Sequence, residues 1–326
     1  MRVLVAGGAG FIGSSVVREV LRRGHAVVCL DDFSTGRLSN IEELLDHPDF
    51  LLMRRDVRQA PVMDVDVVLH LASPASPVDY ERLPLQTLQV NSEGTWRLLE
   101  VARAAGATLT YTSTSEIYGD PLVHPQPETY WGNVDPVGPR ACYDEAKRFG
   151  EALISSMRRV HGVRANIVRL FNTYGPRMRP DDGRAIPELV SAALEGRPLT
   201  IHGDGSQTRS FCYVSDLVDG LLGVALDRTA DGLILNIGNP HEVTIRELAE
   251  EILRISGSSS ELQFDPRRPG DPERRKPDIT RIQARYGWEP TVDLHIGLER
   301  TIDYFRELRA MPVTRVQDHE AVAAAV

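Results

Sequence analysis

Lysine is almost missing from this chain of 326 residues. Lysine and arginine total 37, yet only Lys147 and Lys276 are lysines. A lysine kept where arginine otherwise serves is a position to ask about, because arginine never gives up its proton. Cysteine is equally sparse: Cys29, Cys142 and Cys212 stand far apart with no CxxC pair. The nine histidines show no HxH or HExxH spacing. These gaps argue against a metal site, and reduced thiols in a cytoplasmic protein are the expectation. No apolar run reaches membrane-spanning length, and "MRVLVAGGAG" runs into glycines without the apolar core of a signal peptide. A net charge of −9 argues against a general nucleic-acid binder.

What is present is a globular composition, 42% hydrophobic and 25% charged, long enough for one large domain or two around a cleft. The first half alternates apolar, β-branched runs with amphipathic ones. Segments 2–7, 26–31, 65–72 and 109–115 read as buried parallel strands. "FIGSSVVREVLRRG" and "LQTLQVNSEGTWRLLEVARAAG" between them have helical spacing and end at glycine. The alternation predicts an α/β fold with a doubly wound parallel sheet. Residues 164–176 read as a further strand leaving that sheet, and 233–239 as a return to it. The expected division is a nucleotide-binding domain of 1–171 plus about 212–238, and a smaller C-terminal substrate-binding domain of 172–211 and 239–310. A mobile tail, 311–326, follows.

"GGAGFIG" after the first strand places Gly7, Gly10 and Gly13 at a strand-to-helix turn, with Phe11 and Ile12 between them. Glycines there admit a tight turn and let a pyrophosphate approach the helix N-terminus. The second strand ends in Asp31, whose carboxylate would accept ribose hydroxyls and repel a 2′-phosphate, favouring NAD over NADP. Asp32, Phe33, Ser34, Thr35 and Gly36 continue the loop toward the adenosine. Asp56 and Val57, ending a third strand, would flank the adenine. Leu71, Ala72 and Ser73 around the end of the 65–72 strand, Asn91, and Tyr143 and Lys147 further on complete the expected cofactor contacts.

"YDEAK" sets Tyr143 and Lys147 four apart on one helix face. A nearby ammonium lowers a phenol's pKa, so a phenolate could act as base toward a sugar hydroxyl. "TSTSEIYGDP", 112–121, adds a Ser-Glu pair at the mouth of a hydroxyl-rich strand.

Together these residues resemble the extended short-chain dehydrogenase/reductase family of nucleotide-sugar enzymes, over about residues 1–310. "TSE", "GPRACYDE", "SQTRSF", "NIGNP" and "RRKPDI" are most similar to its members that decarboxylate UDP-glucuronate to UDP-xylose. The resemblance implies a Rossmann-type sheet, bound NAD, UDP-glucuronate as substrate, and a homodimer joined through two helices per subunit, one carrying Tyr143. It implies oxidation at C4, loss of CO₂ from the 4-ketone, protonation at C5 and re-reduction. Thr114 would assist Tyr143 at O4. Dehydratases of the family carry Asp-Glu where Ser115 and Glu116 stand, so water elimination would lack its acid, and Glu116 would handle protons near C5 or order water. Arg209 would sit near the substrate carboxylate or diphosphate. Asn172 and Arg275, with Arg268 competing, would contact the phosphates. A UDP-glucuronate 4-epimerase and a catalytically silent nucleotide-sugar or NAD binder are the alternatives.

Overall fold

The computed structural model describes residues 1–267 and 272–310, so Arg268 and the 311–326 tail lie outside the described residues. Seven parallel strands form the central sheet. They are β1 (Arg2–Ala6), β2 (Ala26–Asp31), β3 (Phe50–Arg54), β4 (Val67–His70), β5 (Thr108–Thr114), β6 (Ala165–Leu170) and β11 (Ile234–Ile237). Their order is β11-β6-β5-β4-β1-β2-β3, so the chain winds outward in both directions from β1 and β4. That reversal puts a crevice above the carboxyl ends of the strands.

The apolar runs are continuous because both sheet faces are covered. Val3 and Val5 join one core cluster while Leu4 and Ala6 join the other. Helices α1 (Phe11–Arg22) and α7 (Val214–Ala225) close the first face, with Val16, Val17, Val20 and Leu217 buried. Helices α4 (Thr95–Ala105) and α5 (Ala141–His161) close the second through Leu98, Leu99, Leu153 and Ile154.

Two sequence expectations change on folding. The amphipathic run 85–106 forms α3 (Pro84–Gln89) and α4 joined by a π turn over Val90–Gly94, which follows the short α2 (Pro77–Arg82). One extra residue in that turn brings the Asn91 amide to Ser73 Oγ at 2.8 Å and to Thr87 O at 2.8 Å. Segment 164–176 is not one strand: β6 stops at Leu170 and β7 (Thr173–Tyr174) pairs instead with β10 (Cys212–Tyr213). The break turns Asn172 and Thr173 into the crevice wall.

The rest of the second half builds on small sheets. β8 (Leu199–His202) pairs with β13 (Leu262–Asp265), and β9 (Thr208–Ser210) lies between β12 (Glu242–Thr244) and β14 (Arg274–Arg275). Helices α6 (Ala185–Glu195), α8 (Ile245–Ser256), α9 (Thr280–Tyr286) and α10 (Leu294–Ala310) complete it.

Candidate active site

Three adjoining cavities share their walls along the crevice. Gly7, Gly10, Thr35, Leu71 and Ser73 belong to both cavities at the glycine end. Glu116, Asn172, Thr173 and Arg184 belong both to the middle cavity and to a large one of about 400 Å³. The crevice therefore runs unbroken from Asp31 to Arg209, with Glu116 at the junction.

At the glycine end the backbone does most of the work. Gly7 has φ +82°, and a Cβ there would lie 2.6 Å from Ala72 N. A Cβ on Gly13 would lie 1.9 Å from Gly7 O, so helix α1 can approach the turn only as glycine. Gly10 differs: its Cβ would meet protein only at Gly7 O, 3.3 Å away, and would otherwise project into the crevice. That open cradle, with Phe11, Ile12 and Gly13 lining the cavity at the start of α1, fits a pyrophosphate. Asp31 accepts the Ala9 amide at 2.8 Å and the Phe33 amide at 2.9 Å, yet burial pushes its carboxyl up to about 6. Asp31, Asp32, Ser34, Thr35, Gly36, Val57, Leu71, Ala72 and Ser73 all line this end.

Three expected cofactor residues sit elsewhere. Phe33, at φ 61°, packs against the core beneath Arg54. The Asp56 carboxylate caps its own turn, accepting the Arg58 amide at 2.8 Å and pairing with the Arg58 guanidinium at 2.6 Å. Asn91 is fully buried one layer behind the crevice and anchors Ser73, while Tyr111 donates its hydroxyl to the Asn91 side-chain oxygen at 3.2 Å.

Midway, α5 presents Tyr143 and Lys147 one turn apart, both buried and both lining the middle cavity. Lys147 donates to Thr112 O at 2.9 Å and lies 5.9 Å from the Tyr143 ring centroid. The expectation of a depressed phenol pKa is not met by the protein's own groups. Burial dominates and raises the Tyr143 pKa, the Glu116 charge raises it further, and a hydrogen bond with Thr114 only partly offsets them. The cost of burial falls on the lysine too, whose pKa drops to about 7 although Glu151 opposes the change. This ammonium can lose its proton near neutrality, which no arginine in its place would do. The second lysine lies elsewhere: Lys276 pairs with Glu242 at 3.6 Å, beside His124 and Thr208.

At the junction Glu116 follows Thr114, whose hydroxyl accepts the Glu116 amide at 3.2 Å. Ser115 is buried against the same wall. Arg140 pairs with one Glu116 oxygen, and Arg275 stands 3.6 Å from the other. Burial opposes the Glu116 charge, but the two guanidiniums outweigh it and hold the carboxyl well below its ordinary range. Pairing of β9 with β14 puts Arg275 directly beside Arg209, although 66 positions separate them in the chain. Arg209 donates to Thr208 O at 2.8 Å and lines the large cavity with Asn172 and Arg275. Tyr80 stacks on Tyr143, with centroids 5.2 Å apart and planes at 12°.

Arg140, Asp144, Arg184 and Tyr80 were not singled out from the sequence. Arg140 and Asp144 lie inside the quoted "GPRACYDE" stretch, so the motif held them, but nothing in their spacing marks a partner. Arg184, paired with Asp182, lines both the middle and the large cavity. In a chain this rich in arginine, it carries no signal of its own.

Sheet order, glycine turn and the Tyr-Lys pair define a nucleotide-linked redox fold, and a family model confirms the class. Residues 3–238 match the NAD dependent epimerase/dehydratase family, to which the chain belongs. Among its relatives are two curated proteins named for one reaction. UDP-glucuronic acid decarboxylase 5 of Arabidopsis thaliana is 47% identical over 307 residues, covering 94% of this chain and 89% of the relative. UDP-glucuronic acid decarboxylase 1 of Xenopus tropicalis is 47% identical over 306 residues, covering 94% and 72%. A solved UDP-glucuronic acid 4-epimerase from Bacillus cereus, in complex with UDP-glucuronic acid and NAD, superposes with a TM-score of 0.85. It is 31% identical, and the match covers 94% of this chain and all of that one.

Proposed function

We propose that this chain is an NAD-dependent UDP-glucuronate decarboxylase that forms UDP-xylose. One observation carries the reading: Glu116, held between Arg140 and Arg275, stands where the crevice that fits the dinucleotide opens into the arginine-lined cavity. A sugar carboxylate entering from the large cavity meets guanidinium charge there, as anion recognition requires. The relatives named decarboxylases, at 47% identity over 94% of the chain, support the same reading.

When bound, NAD⁺ supplies the reversible oxidation at C4. Gly7, Gly10 and Gly13 would hold its pyrophosphate and Asp31 its ribose. As a phenolate, with Thr114 on its oxygen, Tyr143 would take the O4 proton as C4 becomes a ketone; the positive charge of a bound nicotinamide would oppose the burial that raises its pKa in the protein alone. The ketone lies β to the C6 carboxylate, so cleavage of the C5–C6 bond releases CO₂ and leaves an enolate instead of a bare carbanion. Arg209 and Arg275 orient the carboxylate and the diphosphate. Ser115 has no acidic proton to expel a hydroxyl, which argues against dehydration. Glu116, held as an anion, would order the water whose proton reaches C5, and re-reduction at C4 with return of the O4 proton from Tyr143 would complete the cycle.

Leu85, Trp96 and Phe149 are exposed on α3, α4 and α5, helices that pack together. Such apolar exposure supports a homodimer through this face. We further propose a cytoplasmic protein, and a division into an NAD-binding unit built on the sheet and a smaller nucleotide-sugar unit.

Purified protein incubated with UDP-glucuronate and NAD⁺ is expected to yield a nucleotide sugar lighter by one CO₂, with no net NADH. An unchanged mass with a shifted retention time would mean 4-epimerisation. No product with NAD still bound would mean a silent binder.

A further inference from the structure

Arg177 bends the chain where glycine or asparagine would be the ordinary residue. It stands between β7 and α6 with φ +73°, in the left-handed region that a longer side chain enters only against a steric cost. Backbone of this kind gathers at ligand sites, where the surrounding fold holds it in place. Arg177 lines the middle cavity together with Gly10, Phe11, Ile12 and Gly13 of the glycine turn.

The charges of that cavity give the position its meaning. Of the three arginines that line it among the described residues, two are matched to carboxylates. Arg179 donates to both Asp79 oxygens at 2.8 Å, and Arg184 pairs with Asp182 at 2.8 Å. The guanidinium of half-buried Arg177 makes no hydrogen bond or ion pair among the described residues. An unmatched cation and an open cradle for a diphosphate therefore share one cavity. A guanidinium can take two phosphate oxygens at once, and a diphosphate offers them. The large cavity, where Arg209 and Arg275 stand, does not include Arg177, so the anion it suits is the dinucleotide and not the nucleotide sugar.

We propose that Arg177 is a cofactor-binding residue whose guanidinium closes on the NAD diphosphate from the segment after β7, while the Gly10 turn receives the same group at the start of α1. The cofactor then supplies the negative charge that the carboxylates of the cavity, already taken by Arg179 and Arg184, do not. Burial, and after it the charge of Arg18, push the Arg177 pKa down from the arginine range, in keeping with a cation short of a counter-ion. Arg18 itself is spent on Glu43 at 2.7 Å.

The test is calorimetric titration of the whole protein with NAD⁺ at low and high salt, wild type against Arg177→Gly and Arg177→Asn. Both substitutes suit φ +73°, so neither strains the turn, and both variants should melt within a few degrees of wild type. NAD⁺ should bind them about 10- to 100-fold more weakly, the range for one lost charge-assisted hydrogen bond, and with a flatter dependence on salt. UDP-glucuronate, titrated without NAD⁺, should bind all three proteins alike. Arg177→Lys should keep part of the affinity, because a point charge replaces the planar fork. NAD⁺ affinity and salt slope equal to wild type in both variants overturn the proposal. A loss confined to UDP-glucuronate also overturns it and gives the guanidinium to the nucleotide sugar. Neither titration needs turnover, so the result stands apart from the decarboxylase reading.

Discussion

The two ends of the crevice are built in opposite ways. At the glycine end, Gly7, Gly10, Gly13 and Asp31 come from one strand–helix–strand stretch, and their contacts are mostly to backbone. At the junction with the large cavity, Glu116, Arg140, Arg209 and Arg275 come from four separate segments, and their contacts are mostly between charges. A site made from local backbone depends on steric fit, whereas one made from distant charges depends on burial and mutual neutralisation. Lys147 and Tyr143 stand between the two and share in both.

The sharpest break is chemical. Tyr143→Phe should leave NAD binding intact and cut turnover roughly 10²- to 10⁴-fold, the range for a lost acid–base group. Product mass spectrometry beside an NAD titration checks it. At the glycine end, Gly13→Ala and Gly10→Ala should separate fold from ligand. With Gly7 O only 1.9 Å from the new Cβ, G13A should destabilise the protein by about 1–3 kcal/mol in thermal melts. G10A, whose Cβ projects into the crevice, should melt near wild type yet lose NAD affinity.

Lys147 sharpens the contrast through pH. Its pKa falls from 10.5 in the reference state to about 7 when folded, so between those values the unfolded chain holds the extra proton. Stability from this residue therefore rises with pH across that window. Lys147→Met should abolish turnover and also remove that rise, read as the slope of melting temperature between about pH 7 and pH 10. A slope equal to wild type would mean that the lysine is not buried as described. The smallest effect belongs to Asp56→Ala. Loss of a turn cap and a partly exposed ion pair should cost about 1 kcal/mol in denaturant unfolding, with little change in turnover.

Much of this was legible before folding because some interactions are short in sequence. The period of the apolar runs named β1, β2, β4 and β5 and the helices between them, since period alone decides which residues a sheet or helix can bury. The glycine turn was legible because Gly7 and Gly13 must nearly touch, and six residues of separation let a reader see both. The 164–176 segment was misjudged because β6 ends where the sheet ends, at Leu170, and not where its apolar pattern ends. Asp56 and Asn91 read from the sequence as cofactor contacts. Folding turned one into a cap and set the other at a π turn behind Ser73, outcomes that depend on what packs nearby.

By itself, then, the order of residues determined the parallel sheet, the dinucleotide turn and the Tyr143–Lys147 pair, because each follows from spacing within a single helix or turn. Only the tertiary structure decided the charges. Glu116 is held as an anion because Arg140 and Arg275 converge on it, and Tyr143 and Lys147 are shifted by burial. Charge states depend on distance through the fold and on the loss of water, and neither quantity is written along the chain.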